Sequence, residues 1–365
     1  MFYILTISLT FFAGVAAFFY KCLKKPFSFK LPWKKEMKIA KHSNIPETIK
    51  TPEEREQALT LERESSSLHR TYEKALTEMA VGTMNMTTHH YMASTSKNAS
   101  SNYPNKIKRL TYEIKQISTF LPIYYSNAIF VRYDDSKIDY MKALIMGAEE
   151  TPYSHGAFLF DIYFDDTYPS TPPKVNLMTN GGGKLRFNPN LYNNGYVCLS
   201  LLGTWSGGKG ETWTVNSNLL QVLLSIQSLV MTEGVLYNEP SYFSYKYVQA
   251  NHVTILYKKQ DVGYTNIVRY GNVKYAMNGM LTNPPAGFED VIKKHFYYKK
   301  NDIMKTCNKW LEEAQSEKDM ADYTSLVVSH NYELATMFNK NKEAYHTELA
   351  KEVDILRNKL NALNI

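Results

Sequence analysis

The sequence predicts an α+β protein built on a four-stranded antiparallel meander that is flanked by helices. Four short runs rich in β-branched and aromatic residues follow one another along the chain, with turn sequences between them. Strands this close in sequence are expected to pair with their neighbours as a meander. Apolar residues at helical spacing precede and follow these runs. The predicted strands are 128–133, 140–146, 157–164 and 174–178.

The first element, residues 1–23, is predicted to be a transmembrane helix. No charged residue occurs from Phe2 to Tyr20, and a helix of this length would reach about 28 Å, close to the hydrocarbon thickness of a bilayer. Eight lysines and one glutamate follow between residues 21 and 41, and such a basic flank stays in the cytosol. We therefore predict a single-pass membrane protein whose body faces the cytosol. A cleaved signal peptide is the alternative, with the small residues 13–17 as its cleavage region.

Residues 24–103 are predicted to be a linker that is basic at first and later rich in Ser, Thr and Asn. The sequence Thr51-Pro52-Glu53-Glu54 combines a capping residue, a first-turn proline and two acids, which is typical of a helix start. One helix is therefore expected to run to about Ala80. The polar composition from Gly82 to Asn102 is typical of a tether.

Length, cysteine usage and charge narrow the class of protein. A chain of 365 residues buries a sizeable core, and one large domain with extensions is expected. Three cysteines without a framework spacing argue against an oxidising compartment. The net charge of +7 has a local source in the lysines that follow the apolar segment. It indicates a juxtamembrane patch and not a nucleic-acid surface.

Cys198 is the candidate for a reactive residue. A lone cysteine between apolar neighbours is usually a small buried hydrophobe. Here, however, the preceding stretch 188–195 is rich in Asn, Pro and Gly, which suits turns and not a core strand. Cys198 is therefore predicted to lie on an ordered loop, where functional groups concentrate.

The region around Cys198 carries a series of short motifs in one order. They are Tyr168-Pro169, Pro172-Pro173, Asn188-Pro189-Asn190, Cys198-Leu199, Trp213, 222–229 and Tyr237-Asn238-Glu239-Pro240. This order resembles the ubiquitin-conjugating enzymes, and most closely their large branch with an Asn-Pro-Asn loop. The resemblance runs from about Pro104 to about Leu311. It implies a catalytic core of the ubiquitin-conjugating fold at 104–245 and a helical carboxy-terminal extension at 246–365.

The reaction that the resemblance implies is acyl transfer through a thiol. Cys198 would accept ubiquitin or a ubiquitin-like protein from an activating enzyme as a thioester and pass it to a lysine of protein substrates. No metal, nucleotide or organic cofactor is expected. By resemblance Asn190 is the donor to the oxyanion, or else an amide that stabilises the loop. Glu239 matches an acidic gate that favours deprotonation of the lysine, or else is part of a polar turn.

Partner docking is also implied by resemblance. The amphipathic helix at 106–119 is similar to the family's first helix, so Lys106, Lys108 and Arg109 are predicted to dock the activating enzyme. An ordinary amphipathic helix explains the same apolar stripe. A ubiquitin ligase is a further candidate partner. Ser170 and the run 214–216 replace the apolar residues that many small members present to ligases, which argues against conventional ligase docking.

Two other functions fit parts of the sequence. A membrane-tethered ubiquitin-binding scaffold would share the fold, but such a scaffold would normally lack the cysteine. A cysteine hydrolase would need a histidine base and an orienting Asn or Asp. The candidate bases are His155, His252 and His295, and none stands in a sequence context typical of such enzymes.

Overall fold

A computed structural model describes residues 52–92, 103–205, 211–239, 252–316, 319–324, 331–341 and 343–365, with the backbone alone for 52–64, 103 and 252–254. The chain divides into two units, 1–61 and 62–365, and the second contains the sheet and the candidate site. None of the helices in the described ranges is long and apolar enough to cross a bilayer. The predicted anchor at 1–23 lies outside the described residues.

Strands and helices alternate first, and helices then dominate the carboxy-terminal half. The strands are β1 (Val81–Thr83), β2 (Ile129–Tyr133), β3 (Tyr140–Met146), β4 (Ala157–Tyr163) and β5 (Lys174–Leu177). The helices are α1 (Pro52–Thr77), α2 (Tyr103–Phe120), α3 (Leu219–Ser225), α4 (His252–Gly271), α5 (Glu289–Ser316), α6 (Tyr332–Lys340) and α7 (Ala344–Asn361). Wider π-helical turns prolong α3 through Ile226–Val230 and α4 through Asn272–Gly279, and a last helical turn follows at Met280–Thr282. Two short 3-10 turns lie at Ser200–Leu202 and Val235–Asn238.

The sheet has five strands in the order β1-β2-β3-β4-β5. Strands β2 to β5 form the predicted antiparallel meander, with Met146 opposite Ala157 and Phe160 opposite Leu177. The prediction of a purely antiparallel four-stranded sheet is wrong, because β1 pairs in parallel with β2 and makes the sheet mixed. The three residues of β1 include a glycine and stand in a polar stretch, so they carry no strand pattern. Helix α2 provides the crossover that a parallel pair requires.

Part of the predicted linker belongs to the folded unit. Tyr72 and Leu76 of α1 are fully buried, and Met86 is 2% exposed. The Met86 N–H donates to the Asp134 carboxylate (2.9 Å), and the His90 N–H donates to that of Asp161 (2.7 Å). The segment after β1 therefore lies on the sheet. Its few apolar residues are widely spaced among polar ones, which is why composition alone indicated a tether.

The carboxy-terminal helices pack onto the same core. Leu349, Val353, Leu356 and Leu360, whose spacing is apparent in the sequence, are all buried on α7. Helix α7 lies against α5 and the π-helical turns after α4. At those turns the Asn272 amide donates to two carbonyls of the β3–β4 connection. The extension is thus tied to the sheet.

Candidate active site around Cys198

Cys198 lies at the end of an irregular loop, next to the 3-10 turn at Ser200–Leu202. Cys198 is 6% exposed. The thiol donates to the Thr204 carbonyl (3.2 Å). The turn before it requires glycine, because Gly195 has φ +89° and an added Cβ would lie 2.1 Å from the Asn176 side-chain oxygen. The local sequence thus places a largely shielded thiol at a defined point of the loop.

Thr204 fixes the main chain on both sides of the cysteine. Its hydroxyl donates to the Val197 carbonyl (2.9 Å) and accepts from the Leu199 N–H (2.8 Å). These bonds replace the regular backbone pairing that an irregular segment lacks. Thr204 therefore holds the main chain that carries the thiol.

Asn190 and Cys198 form a reciprocal pair. The Cys198 N–H donates to the Asn190 carbonyl (2.8 Å), and the Asn190 side-chain amide donates to the Cys198 carbonyl (2.9 Å). In this state the amide stabilises the loop, which is one of the two roles that the sequence allowed. A side-chain amide carries two N–H groups, so the second remains the candidate donor to an oxyanion.

Asn188 anchors the same loop in the core. It is fully buried, and its amide donates to the Tyr153 hydroxyl (2.9 Å) and the Val230 carbonyl (3.0 Å). Its side-chain oxygen accepts from the Asn190 N–H (2.9 Å). All of its side-chain hydrogen-bonding groups face protein atoms. Asn188 thus supports Asn190 from behind and does not face the thiol.

Glu239 is the acidic residue whose charge affects the pKa of the Cys198 thiol. It follows the 3-10 turn at Val235–Asn238, which the Asn238 amide ties to the Val230 carbonyl (2.9 Å). Burial raises the pKa of the Cys198 thiol, and the nearby Glu239 carboxylate raises that pKa further. The Arg186 guanidinium and the hydrogen bond to the Thr204 carbonyl partly offset these effects, and the pKa stays above its usual value. The resting thiol is therefore protonated at neutral pH.

Comparisons with known proteins agree with this geometry. Residues 109–260 match the family described as "Ubiquitin-conjugating enzyme". The chain is 42% identical to the human "Dual E2 ubiquitin-conjugating enzyme/E3 ubiquitin-protein ligase BIRC6" over 228 residues. These residues make up 62% of this chain and 5% of that protein. Residues 109–260 therefore belong to the ubiquitin-conjugating enzyme family.

Two further relatives support the assignment. The Caenorhabditis elegans "Probable ubiquitin-conjugating enzyme protein 17" is 38% identical over 213 residues, which are 58% of this chain and 28% of that protein. The Arabidopsis thaliana "Probable ubiquitin-conjugating enzyme E2 26" is 42% identical over 221 residues, 60% of this chain and 38% of that protein. The chain therefore spans well under half of the length of these three curated relatives.

Only one of the three predicted docking residues of this ubiquitin-conjugating domain projects into solvent. Lys106 is fully buried and forms ion pairs with Asp139 (3.0 Å) and Asp166 (3.1 Å). Its assignment as a docking cation is corrected by this burial. Arg109 binds Glu113 and the carbonyls of the 215–217 segment, so its main role is to join α2 to the start of α3. Lys108 is exposed, and its docking role stays a prediction.

The described histidine candidates for the base of a hydrolase contact groups other than the Cys198 thiol. His295 contacts the Tyr72 hydroxyl (2.9 Å) and the His155 carbonyl (3.0 Å), and His155 contacts the Thr306 hydroxyl (3.0 Å). The side chain of His252 lies outside the described residues. No histidine hydrogen-bonds to the Cys198 thiol in the part of the chain that the structure describes. Nor are three His, Cys, Asp or Glu side chains grouped there to hold a metal.

Sequence reasoning missed three residues that shape this site. Thr204 holds the cysteine, Tyr153 supports Asn188, and Arg186 donates to the carbonyls of Asn188 (3.2 Å) and Pro189. Arg186 is separated from the Asn-Pro-Asn sequence by one residue, so its position was a usable signal. Tyr153 is 35 residues from Asn188, and spacing alone does not reveal such a contact.

Proposed function

We propose that this protein accepts ubiquitin or a ubiquitin-like protein from an activating enzyme as a thioester on Cys198 and transfers it to lysines of protein substrates. The observation that carries the proposal is the reciprocal bonding of Asn190 and Cys198 in a domain of this family. The Asn-Pro-Asn loop, the insertion before Trp213 and the helical extension favour the large branch. A ubiquitin ligase remains a candidate partner.

The proposed chemistry has two acyl transfers. The Cys198 thiol loses its proton as its sulfur attacks the modifier's terminal carbonyl carbon. Collapse of the tetrahedral oxyanion expels the thiolate of the activating enzyme, which takes up a proton in exchange. A neutral lysine amine then attacks the new thioester, loses a proton and expels the Cys198 thiolate. The second N–H of the Asn190 amide stabilises the oxyanion, and Glu239 accepts the proton of the lysine.

The test uses the full chain in detergent with activating enzyme, ATP and ubiquitin. A reductant-sensitive adduct of the mass of one ubiquitin is expected. Cys198→Ser should give a reductant-resistant oxyester, because an alkoxide is a poorer leaving group than a thiolate. Cys198→Ala should give none. Cys307→Ala is the control, because Cys307 is buried and its burial raises the pKa of the thiol to about 12. An adduct that persists in Cys198→Ala would exclude Cys198 as the acceptor, and a wild-type chain that forms no adduct would favour the scaffold.

We also propose that residues 1–23 anchor the protein in a membrane with the catalytic domain facing the cytosol. The support is the uncharged stretch from Phe2 to Tyr20 and the basic flank behind it. Protease added outside sealed vesicles should digest the domain, and detergent should add no further cleavage. Asn85 and Asn98 stand in Asn-X-Thr and Asn-X-Ser sequences, which are glycosylated only on the luminal side. Complete protection, or a glycan on either asparagine, would reverse this topology.

A further inference from the structure

The carboxy-terminal extension holds the main chain of Arg186 with side chains from two helical regions. The Asn331 side chain accepts from the Arg186 N–H (2.8 Å) and donates to the Arg186 carbonyl (3.1 Å). The Tyr264 hydroxyl of α4 donates to the same carbonyl (3.1 Å). Both polar groups of the Arg186 backbone are therefore engaged by the extension.

Arg186 in turn contacts the catalytic loop, residues 188–198, which carries Asn190 and Cys198. Its guanidinium donates to the carbonyls of Asn188 and Pro189, and it stacks on the Tyr192 ring at 3.9 Å. The loop that contains Asn188, Pro189 and Tyr192 has no regular backbone pairing, so its position depends on such side-chain contacts. Asn190 lies two residues after Asn188, and its side-chain amide donates to the Cys198 carbonyl. A continuous chain of contacts thus joins the extension to the candidate oxyanion donor.

The conformation of Asn331 indicates that this contact is specific. Asn331 occupies the N-cap position of α6, where an asparagine normally accepts a hydrogen bond from the first turn of its own helix. Here its side chain makes no capping bond. Instead the side chain turns to Arg186, and the residue is 2% exposed. The N-terminus of α6 therefore lacks a side-chain capping bond, and the main chain of Arg186 forms two hydrogen bonds with Asn331.

We propose that Asn331 and Tyr264 are positioning residues that act through Arg186 to hold Asn190 in place for discharge of the thioester. This inference rests on the proposed function and deepens it. The helical extension then contributes to the rate of lysine modification as well as to folding. Charging is exchange between two thiols and needs little help, so the contribution falls on the transfer to lysine.

Two variants with two matched controls test the proposal. Asn331→Ala removes two hydrogen bonds to Arg186, and Tyr264→Phe removes one while it keeps the ring. Asn278→Ala is the control for the first, because this buried amide also makes two bonds, both to Glu352 on α7. Tyr323→Phe is the control for the second, because its hydroxyl accepts one bond from the buried amide of Asn266. Neither control residue contacts the catalytic loop through these bonds.

The measurements are the extent of charging, single-turnover discharge to free lysine and the melting temperature of the full chain in detergent. We expect Asn331→Ala to charge like the wild type and to discharge about tenfold more slowly, since small displacements of a catalytic group reduce rates severely. Tyr264→Phe should slow discharge in the same direction. The controls should lower the melting temperature comparably and leave discharge within about twofold of wild type.

A double-variant cycle separates positioning from general destabilisation. If Asn331 acts through Asn190, the discharge rate of Asn190→Ala should fall no further when Asn331→Ala is added. Fully multiplicative defects, or equal discharge rates of Asn331→Ala and Asn278→Ala, would overturn the inference. Should Asn331→Ala fail to fold, Tyr264→Phe against Tyr323→Phe decides the same question. A wild-type chain that forms no thioester would instead refute the proposed function.

Discussion

Asn190 and Cys198 exchange hydrogen bonds in both directions across the catalytic loop. The backbone bond from Cys198 fixes the distance between the two residues, and the amide bond fixes the orientation of the Asn190 side chain. One amide N–H is thereby committed, and rotation of the side chain is restricted. The other N–H is the proposed donor to the oxyanion, and a restricted side chain would lower the cost of reorganisation for that role.

The first prediction concerns Asn190→Ala. This variant should charge nearly normally, because exchange between two thiols of similar basicity needs little help. Its discharge to lysine should slow on the order of 100-fold at every pH, since an oxyanion donor or the loop geometry is lost. Single-turnover discharge of the purified thioester provides the measurement. Thr204→Ser, which retains the hydroxyl beside Cys198, serves as a control and should discharge normally. Failure of Asn190→Ala to charge would contradict this division of roles.

The second prediction separates Lys106 from Lys108. Lys106→Met removes the buried cation shared by Asp139 and Asp166, and it should lower the free energy of unfolding by about 3 kcal/mol. Lys108→Met should change that free energy by less than about 0.5 kcal/mol, since Lys108 is an exposed residue. Lys108→Met should instead slow charging when the activating enzyme is limiting. Urea unfolding and charging rates measure the two effects. Equal stability losses in both variants would refute the assignment.

Helix α2 shows where sequence reasoning succeeds and where it fails. The sequence predicted an apolar stripe on this helix, and Leu110 and Ile117 of that stripe are buried. The buried stripe also contains Lys106 and Glu113, however, at the same helical spacing. Charged side chains are assigned to the solvent face by pattern alone. Only the tertiary partners, such as Asp139 for Lys106, reveal that a charge is buried.

The sheet also has a part that the sequence predicts and a part that it does not. The meander β2 to β5 was predictable because each strand carries its own pattern and pairs with a close neighbour in sequence. Strand β1 was not, because Val81 pairs in parallel with Val131, 50 residues away, and its pattern is too short to recognise. At the site, Cys198 stood out through its motif. Thr204 and Asn331 did not, because their roles depend on contacts that no local spacing encodes.

The third prediction concerns stability at acid pH. Burial lowers the pKa of His295 to about 3 and that of His155 well below its usual value, so both imidazoles are neutral in the folded state. In the unfolded chain they titrate near pH 6.5, so the unfolded state binds more protons below that pH. Stability should therefore fall as pH decreases from about 6.5, by up to about 1.4 kcal/mol per pH unit for each histidine.

The variant His295→Gln should flatten this dependence between pH 6.5 and pH 5, whatever its stability at pH 7. The measurement is the free energy of unfolding in urea at several pH values. His346→Gln, at a partly exposed position on α7, is the matched control and should keep the wild-type slope. A slope in His295→Gln that equals the wild-type slope would show that the buried histidine network does not govern acid stability.

The fourth prediction concerns the charge of Glu239. Because its carboxylate raises the pKa of the Cys198 thiol, Glu239→Ala should lower that pKa. Alkylation of Cys198 by iodoacetamide should then rise at a lower pH than in the wild type. Glu233→Ala is the matched control, since Glu233 is an exposed acid on the neighbouring segment and is not among the groups that shift the thiol. An unchanged alkylation profile in Glu239→Ala would place its carboxylate too far from the thiol to act.

The same variant tests the role of Glu239 in transfer to lysine. A lysine with a pKa of about 10.4 is mostly protonated at pH 7, so a carboxylate at the mouth of the site should accelerate discharge by about 100-fold there. As pH approaches 10 the attacking amine is already neutral, and the defect of Glu239→Ala should shrink. Asn190→Ala provides the contrast, because loss of an oxyanion donor is independent of the protonation of the lysine. Single-turnover discharge between about pH 7 and pH 10 measures both variants. A defect of Glu239→Ala that stays constant across this range would make Glu239 a structural part of the turn and not an acceptor of the proton.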